Sequence, residues 1–543
     1  MSKNIKYFNN CSTKYTISSS KLIILLALFF IAFDNVAFFS NVFTIYPVNL
    51  KNLGFLVSLT WGFTAAIVIL LALVCYRYTF KPIVIIVLLI SSFSSYFMDS
   101  YNTVIDDSMI ENIVSTDFAE SLDLLSFKLI LYIIFLGVLP SYLIYKSKVS
   151  FRTGWGEVIS RVKIISLTLL SVLAVVCIYS DFYSSFFREH KRLRYYANPS
   201  YYIFSTGKYI NNLFISNAIA MKPIGLDAKI PDTDTDRELI IFVVGETARA
   251  DRFSLNGYPR ETNPLLKKEQ LVSFSNFWSC GTSTAVSVPC MFSNITASDY
   301  IKETVQSTEN IVDVLQHAGV NVLWLDNNSD SKGVALRVPY QSYKNPLVNS
   351  VCDLECRDIG MLKTLQTYID EHQQGDIFIV LHQMGNHGPA YYKRYPAEFE
   401  KFTPVCKTNQ LEDCSKEELN NAYDNAILYT DYFLSQVIAL LKKNVKTFET
   451  AMFYVSDHGE SLGENGLYLH GLPRFIAPDT QTHVPAIIWF DDGFYGLDMK
   501  LLAKKADNKY SHDNVFHTIL GFMEIESDTY DSKMNILLNH LTI

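Results

Sequence analysis

The sequence predicts a two-part chain: an N-terminal domain of five transmembrane helices, then an α/β domain whose mainly parallel sheet is covered by helices on both faces. Three observations carry this. Five long apolar stretches lie before about residue 180. Short β-branched runs alternate with helix-like segments after about residue 225. Six of the nine cysteines fall in the second half, in close pairs. The length of 543 residues leaves room for two or three domains. A net charge of -8 is no basis for a nucleic-acid partner, which usually needs a strong basic patch.

The apolar stretches are Leu22–Phe39, Phe55–Tyr76, Pro82–Met98, Leu129–Tyr145 and Val162–Tyr179. A helix needs roughly 20 residues to cross a bilayer. Lys3, Lys6, Lys14 and Lys21 precede the first, as in a signal peptide. No small-residue cleavage pattern follows and four more stretches do, so it reads as a retained anchor. Basic residues collect before the first stretch, between the second and third (Arg77, Lys81) and between the fourth and fifth (Lys146, Lys148, Arg152, Arg161). The third-to-fourth loop is acidic, with Asp99, Asp106, Asp107, Glu111, Asp117, Glu120 and Asp123. The positive-inside rule then places the N-terminus in the cytoplasm and everything after about residue 180 outside it.

The cysteines test that placement independently. Cys280 lies near Cys290, Cys352 near Cys356 and Cys406 near Cys414. Three local disulfides suit an oxidising compartment. Cys352-x-x-x-Cys356 also has the spacing of a zinc knuckle, but no matching His or Cys pair lies nearby.

Residues 1–181 therefore read as the membrane domain, 182–238 as an amphipathic bridge and linker, and 239–543 as the catalytic domain. The bridge interleaves aromatic residues such as Phe182, Tyr183, Phe186 and Phe187 with Arg188, Lys191, Arg192 and Arg194. That mixture suits a lipid headgroup zone and equally a packed interdomain helix. Further on, Leu239–Val244, Val320–Leu325, Ile377–Leu381, Ala451–Val455 and Pro485–Phe490 read as buried strands. Ile311–His317, Met361–His372 and Lys416–Leu441 read as helices between them.

In such sheets ligands bind at the carboxyl ends of the strands. Gly245-Glu246-Thr247 follows the first strand, and Asp326-Asn327-Asn328 leading to Lys332 follows the second. His382 and Asn386-His387-Gly388 follow the third, and Ser456-Asp457-His458-Gly459-Glu460 the fourth. Asp457 and His458 can share one metal if the backbone turns, and Gly459 permits a turn. Glu246 is a third candidate ligand. Carboxylates with imidazole suit zinc, and geometry could still admit manganese. The segment from Cys280 to Cys290 offers four hydroxyls, Thr282, Ser283, Thr284 and Ser287, as nucleophiles that a metal could activate. His387 and His470 could hold a second metal, bind phosphate or act as general acid, and Lys332 could neutralise phosphate charge.

The stretches 244–251 (Val-Gly-Glu-Thr-Ala-Arg-Ala-Asp), 279–293, 386–389 (Asn-His-Gly-Pro) and 456–465 resemble the lipid A phosphoethanolamine transferases, which include the mobile colistin resistance enzymes. These belong to the sulfatase-like branch of the alkaline phosphatase superfamily. The resemblance covers essentially the whole chain. It implies that Thr284 is the nucleophile and that Glu246, Thr284, Asp457 and His458 bind one tightly held zinc. It puts His387 and His470 in a substrate-side or second-zinc shell, Asn328 and Lys332 at the donor's phosphate or headgroup, and a disulfide at each cysteine pair. Asn112, Thr116 and Glu120 recur every four residues and so share a helix face. The family uses residues so placed near the donor's ethanolamine.

The expected activity is ping-pong transfer of phosphoethanolamine from phosphatidylethanolamine to a lipid A phosphate, by a monomer in a bacterial inner membrane with its catalytic domain in the periplasm. The added ammonium would weaken polymyxin binding. Alternatives left open are another acceptor (a core sugar, a protein or a glycan), a phosphoglycerol transferase, a hydrolase and an inactive scaffold.

Overall fold

The computed structural model describes residues 16–115, 122, 124–216, 221–494 and 496–537. The chain divides into two units, Met1–Asp99 with Ser126–Phe204, and Ser100–Leu125 with Ser205–Ile543.

In the first unit, helices Leu50–Val74, Phe80–Tyr101, Phe127–Lys146 and Trp155–Ile178 are long and apolar enough to cross a bilayer, with mean hydropathies of 1.8 to 2.3. The first apolar stretch is not one straight helix. It forms Ser19–Phe33 and Val36–Ile45, bent by 61°, and makes a fifth span if the pair is counted as one. The break falls at Asp34-Asn35. There Asn35 Nδ2 donates to the carbonyls of Phe30 at 3.0 Å and Asn198 at 2.7 Å, while Oδ1 accepts from the Asn198 N–H at 3.0 Å. A polar side chain that satisfies freed backbone groups is what lets a bilayer-length helix bend.

The bridge is also divided, into helix Ser180–Glu189, a 3-10 turn Lys191–Tyr196 and helix Ser200–Ser216. Phe182 stacks on Phe55 with ring centroids 5.0 Å apart, and Phe186 meets the same ring at 6.0 Å. This aromatic face is packed, while Phe187 is 65% exposed.

The second unit is built on eight strands: β1 (Glu238–Gly245), β2 (Val272–Trp278), β3 (Asn321–Asp326), β4 (Tyr340–Ser342), β5 (Ile377–His382), β6 (Glu449–Ser456), β7 (His483–Phe490) and β8 (Tyr510–Ser511). Their order is β8-β2-β7-β6-β1-β5-β3-β4. Only β7 runs against its neighbours, pairing antiparallel with β2 and β6. Every residue of β1 and β5 is buried, as a sheet covered on both faces requires. Strand β2 was not foreseen. Its alternating Val-Ser-Phe-Ser-Asn-Phe-Trp offers no continuous apolar run, because only one face is fully buried.

Among its helices are α1 (Asp107–Ser115), α2 (Thr284–Met291), α3 (Ile311–His317), α4 (Lys416–Asn444) and α5 (Val515–Phe522). Val288, Ile311, Leu315 and Ile519 from α2, α3 and α5 meet Phe242, Phe378 and Phe453 in one core. The long α4 packs on β6. It starts at a capping box in which Ser415 and Glu418 satisfy each other's backbone N–H groups. The expected helix 361–372 is instead a 3-10 turn, Asp358–Lys363, followed by Leu365–Glu371.

Candidate active site

Register brings the site together. In the β1–β6 ladder Gly245 pairs with Ser456, so the next residues, Glu246 and Asp457, leave the sheet side by side. Val244 pairs with His382 and Asp326 with His382, so the loops after β3 and β5 open at the same edge. Three of the expected ligands, Glu246, Asp457 and His458, are buried with candidate ligand atoms all within 4.8 Å of one another.

Each ligand is aimed by its neighbours. The His458 Nδ1–H donates to the Gly459 carbonyl at 2.9 Å, which leaves Nε2 a lone pair facing the cluster. That Nε2 lies 3.4 Å from Asp457 Oδ2 and 3.5 Å from Glu246 Oε1. Neither His458 Nε2 nor Asp457 Oδ2 has a hydrogen-bond partner. Asp457 Oδ1 accepts from the backbone N–H groups of Thr247 at 3.1 Å and His458 at 2.7 Å. Asn328 Nδ2 donates to Glu246 Oε2 at 2.7 Å, and Thr247 Oγ1 donates to Oε1. Burial pushes the Asp457 carboxyl well up, and the adjacent Glu246 adds to it. Burial, then the nearby His470, lowers His458 to about 3, so its imidazole is neutral. Two crowded carboxylates and a neutral imidazole, with orphaned atoms converging, are a fit for a divalent cation.

Gly459 serves a purpose other than the one its type suggests. A Cβ there would lie 2.2 Å from the Thr480 carbonyl oxygen, so close approach, rather than a left-handed turn, requires glycine. The left-handed residue is Thr247, at φ 57°, whose carbonyl accepts from Tyr423 Oη at 2.6 Å. Thr247 thus serves both Glu246 and Asp457, a role its position in the sequence did not disclose.

Of the four hydroxyls, that of Thr284 reaches the cluster, donating to Glu246 Oε2 at 3.2 Å. Thr284 is the first residue of α2, where unpaired N–H groups favour negative charge. Thr282 Oγ1 instead donates to the Leu472 carbonyl at 2.6 Å, and its own carbonyl accepts from the Gly471 N–H at 2.9 Å. These two bonds tie the Cys280–Cys290 segment to the loop that carries His470. Glu460 holds His470 Nδ1 at 3.2 Å, and the His470 ring lies 4.2 Å from that of His458 and 5.7 Å from that of His387.

Of the other expected residues, Asn328 holds the candidate ligand Glu246 through its amide. Lys332, at φ 50°, keeps its ammonium on its own loop, donating to Ser329 Oγ at 2.7 Å. Asn112 lies on α1, which packs against α2, and a Cβ at Gly471 would lie 2.9 Å from Met109 Cε of the same helix. Thr116 and Glu120 lie outside the described residues. All three cysteine pairs are disulfides, with Cα separations of 6.6, 4.0 and 5.7 Å.

Residues 238–525 match the sulfatase family, and residues 63–214 match the phosphoethanolamine transferase EptA/EptB family. Phosphatidylethanolamine transferase Mcr-2 of Escherichia coli is 43% identical over 526 residues, 94% of this chain and 96% of that protein. The chain belongs to the phosphoethanolamine transferases. Phosphoethanolamine transferase EptA of Escherichia coli K12 is 41% identical to this transferase over 525 residues, 95% of this chain and 96% of its own. The solved integral membrane protein lipooligosaccharide phosphoethanolamine transferase A (EptA) from Neisseria meningitidis superposes with a TM-score of 0.94 at 36% identity, covering 97% of this chain and 99% of that one. The transferase is therefore an enzyme with a sulfatase-like catalytic fold joined to apolar helices.

Proposed function

We propose that this transferase moves phosphoethanolamine from phosphatidylethanolamine to a phosphate of lipid A, with Thr284 as the nucleophile. The observation that carries this is the Thr284 hydroxyl, at a helix N-terminus, bonded to a carboxylate of the buried Glu246, Asp457 and His458 cluster. The relatives named for phosphatidylethanolamine and for lipooligosaccharide support the donor and the acceptor class.

Zinc suits this donor set, and Glu246, Thr284, Asp457 and His458 would hold it. When bound, the ion supplies a Lewis acid that lowers the pKa of the hydroxyl and offsets phosphoryl charge. In this reading one ion is tightly bound, and His387 and His470 would take substrate phosphate or a second ion. Glu246 Oε2 orients the Thr284 hydroxyl, which gives up its proton to solvent as Oγ attacks the donor phosphorus. The P–O bond to diacylglycerol breaks, and the departing alkoxide takes a proton, for which His470, braced by Glu460, is placed. Thr284 then carries the phosphoethanolamine group until a lipid A phosphate oxygen displaces it. The product gains an ammonium charge, which lowers the attraction of polymyxins and other polycations for the surface.

In this reading residues 1–181 hold the enzyme in a bacterial inner membrane, 182–238 bridge, and 239–543 work in the periplasm as a monomer. The three disulfides suit that oxidising compartment. Intact-protein mass spectrometry after incubation with phosphatidylethanolamine, without acceptor, tests the step. Wild type should gain one phosphoethanolamine group at Thr284, and Thr284→Ala none. An adduct on another residue would sink the assignment.

A further inference from the structure

The sequence places His382 at a strand end beside the site, and no step above uses it. In the β3–β5 ladder it stands directly opposite Asp326, so the two side chains share one face of the sheet. Both are fully buried. The His382 Nδ1–H donates to Asp326 Oδ2 at 2.9 Å. Trp324 Nε1–H, two residues back on the same face, donates to that oxygen at 2.9 Å. The Trp324 ring meets the His382 ring edge-on at 5.8 Å and the Phe292 ring at 5.1 Å. Trp324, Phe292, Val244 and Val380 all belong to the core described above. A carboxylate and an imidazole thus sit among apolar side chains.

Such a placement adds little to stability. Taking both groups out of water offsets most of their attraction, and apolar residues of similar volume often serve as well. His382 Nε2, moreover, has no hydrogen-bond partner. What the pair holds is a turn. The second Asp326 oxygen, Oδ1, accepts from the Asn328 N–H at 2.9 Å, and the His382 carbonyl accepts from the Asn327 N–H at 2.9 Å. From this turn the Asn328 amide reaches Glu246 Oε2 at 2.7 Å, the oxygen that also accepts from the Thr284 hydroxyl. A chain of hydrogen bonds therefore runs from His382 through Asp326 and Asn328 to Glu246.

We propose that Asp326 and His382 are positioning residues, which set the Asn328 amide and through it the Glu246 carboxylate for the metal. This rests on the reading that Glu246, Asp457 and His458 bind zinc. Without the His382 nitrogen, Asp326 Oδ2 keeps only the Trp324 donor. The carboxylate is then free to rotate, and the acceptor of the Asn328 N–H moves with it.

Zinc affinity of the full-length enzyme in detergent, read by competition with a chelator, tests this in wild type, His382→Phe, Asn328→Ala and the double variant. Phenylalanine keeps a ring and removes both nitrogens. His382→Phe should lower affinity roughly 3- to 10-fold, the effect of one hydrogen bond. Added to Asn328→Ala it should lower affinity no further, because the chain is already broken there. His382→Asn, whose amide places an N–H near the position of Nδ1, should restore most of the loss. Unchanged affinity in His382→Phe overturns the proposal. An equal fold loss with and without Asn328 also overturns it, since that marks an effect on the core and not on the turn. If His382→Phe does not fold, Trp324→Phe removes the other donor to Asp326 Oδ2 and is held to the same comparison. A wild type that binds no zinc would overturn the metal reading, and the positioning role with it.

Discussion

Asn328 shows how a single side chain can act through the carboxylate it holds. Its amide donates to Glu246 Oε2 and to the Gln383 carbonyl, fixing the carboxylate across two loops. Groups that orient metal ligands typically change affinity 10- to 100-fold when removed. Asn328→Ala should therefore weaken zinc binding by about that factor, as read by competition with a chelator. Unchanged affinity would reduce Asn328 to a structural residue. Glu246, Asp457 and His458 were legible because parallel strands deliver their following residues to one edge. Thr247 was not, since nothing local marks a threonine for a left-handed backbone. The choice of Thr284 among four hydroxyls came from family resemblance, and geometry supplies its reason in the bond to Glu246.

At the scale of elements, His512 joins three of them and was absent from the sequence reading. It lies just beyond β8, its Nε2–H donates to the Ser456 carbonyl at 3.0 Å, and its Nδ1 accepts from the Cys280 N–H at 3.3 Å. It therefore pins the Cys280–Cys290 segment to the end of β6 while neutral. Burial pushes its pKa down to about 3. The unfolded state, with an ordinary value near 6.5, takes up a proton that the folded state refuses. Stability present above about pH 6.5 should thus fall as pH drops towards 3, by about 2 kcal/mol between pH 7 and 5 for this group. Thermal midpoints across that range should slope less in His512→Gln than in wild type, and parallel slopes would contradict the assignment. The strands that the sequence disclosed were continuous apolar runs, buried on both faces. Strand β2 and the bend at Asp34-Asn35 escaped because each depends on a distant partner: β7 for one, Asn198 for the other.

For the whole molecule, the hydropathy pattern separated membrane helices from the α/β part. It did not reveal that Ser100–Leu125, lying between two apolar helices, belongs with the second unit. Helix α1 of that segment packs on α2, the helix that Thr284 begins. Local sequence gave no sign of the contact, which spans more than 150 residues; the family resemblance alone set Asn112, Thr116 and Glu120 of this loop near the donor's ethanolamine. The central claim is that Thr284 transfers phosphoethanolamine to lipid A. Mass spectrometry of lipid A from cells expressing wild type or Thr284→Ala tests it most directly. A phosphoethanolamine gain on lipid A in wild-type cells alone is the predicted result. Unmodified lipid A in cells where the wild-type enzyme still releases diacylglycerol would contradict the acceptor, and the same gain with Thr284→Ala would contradict the nucleophile.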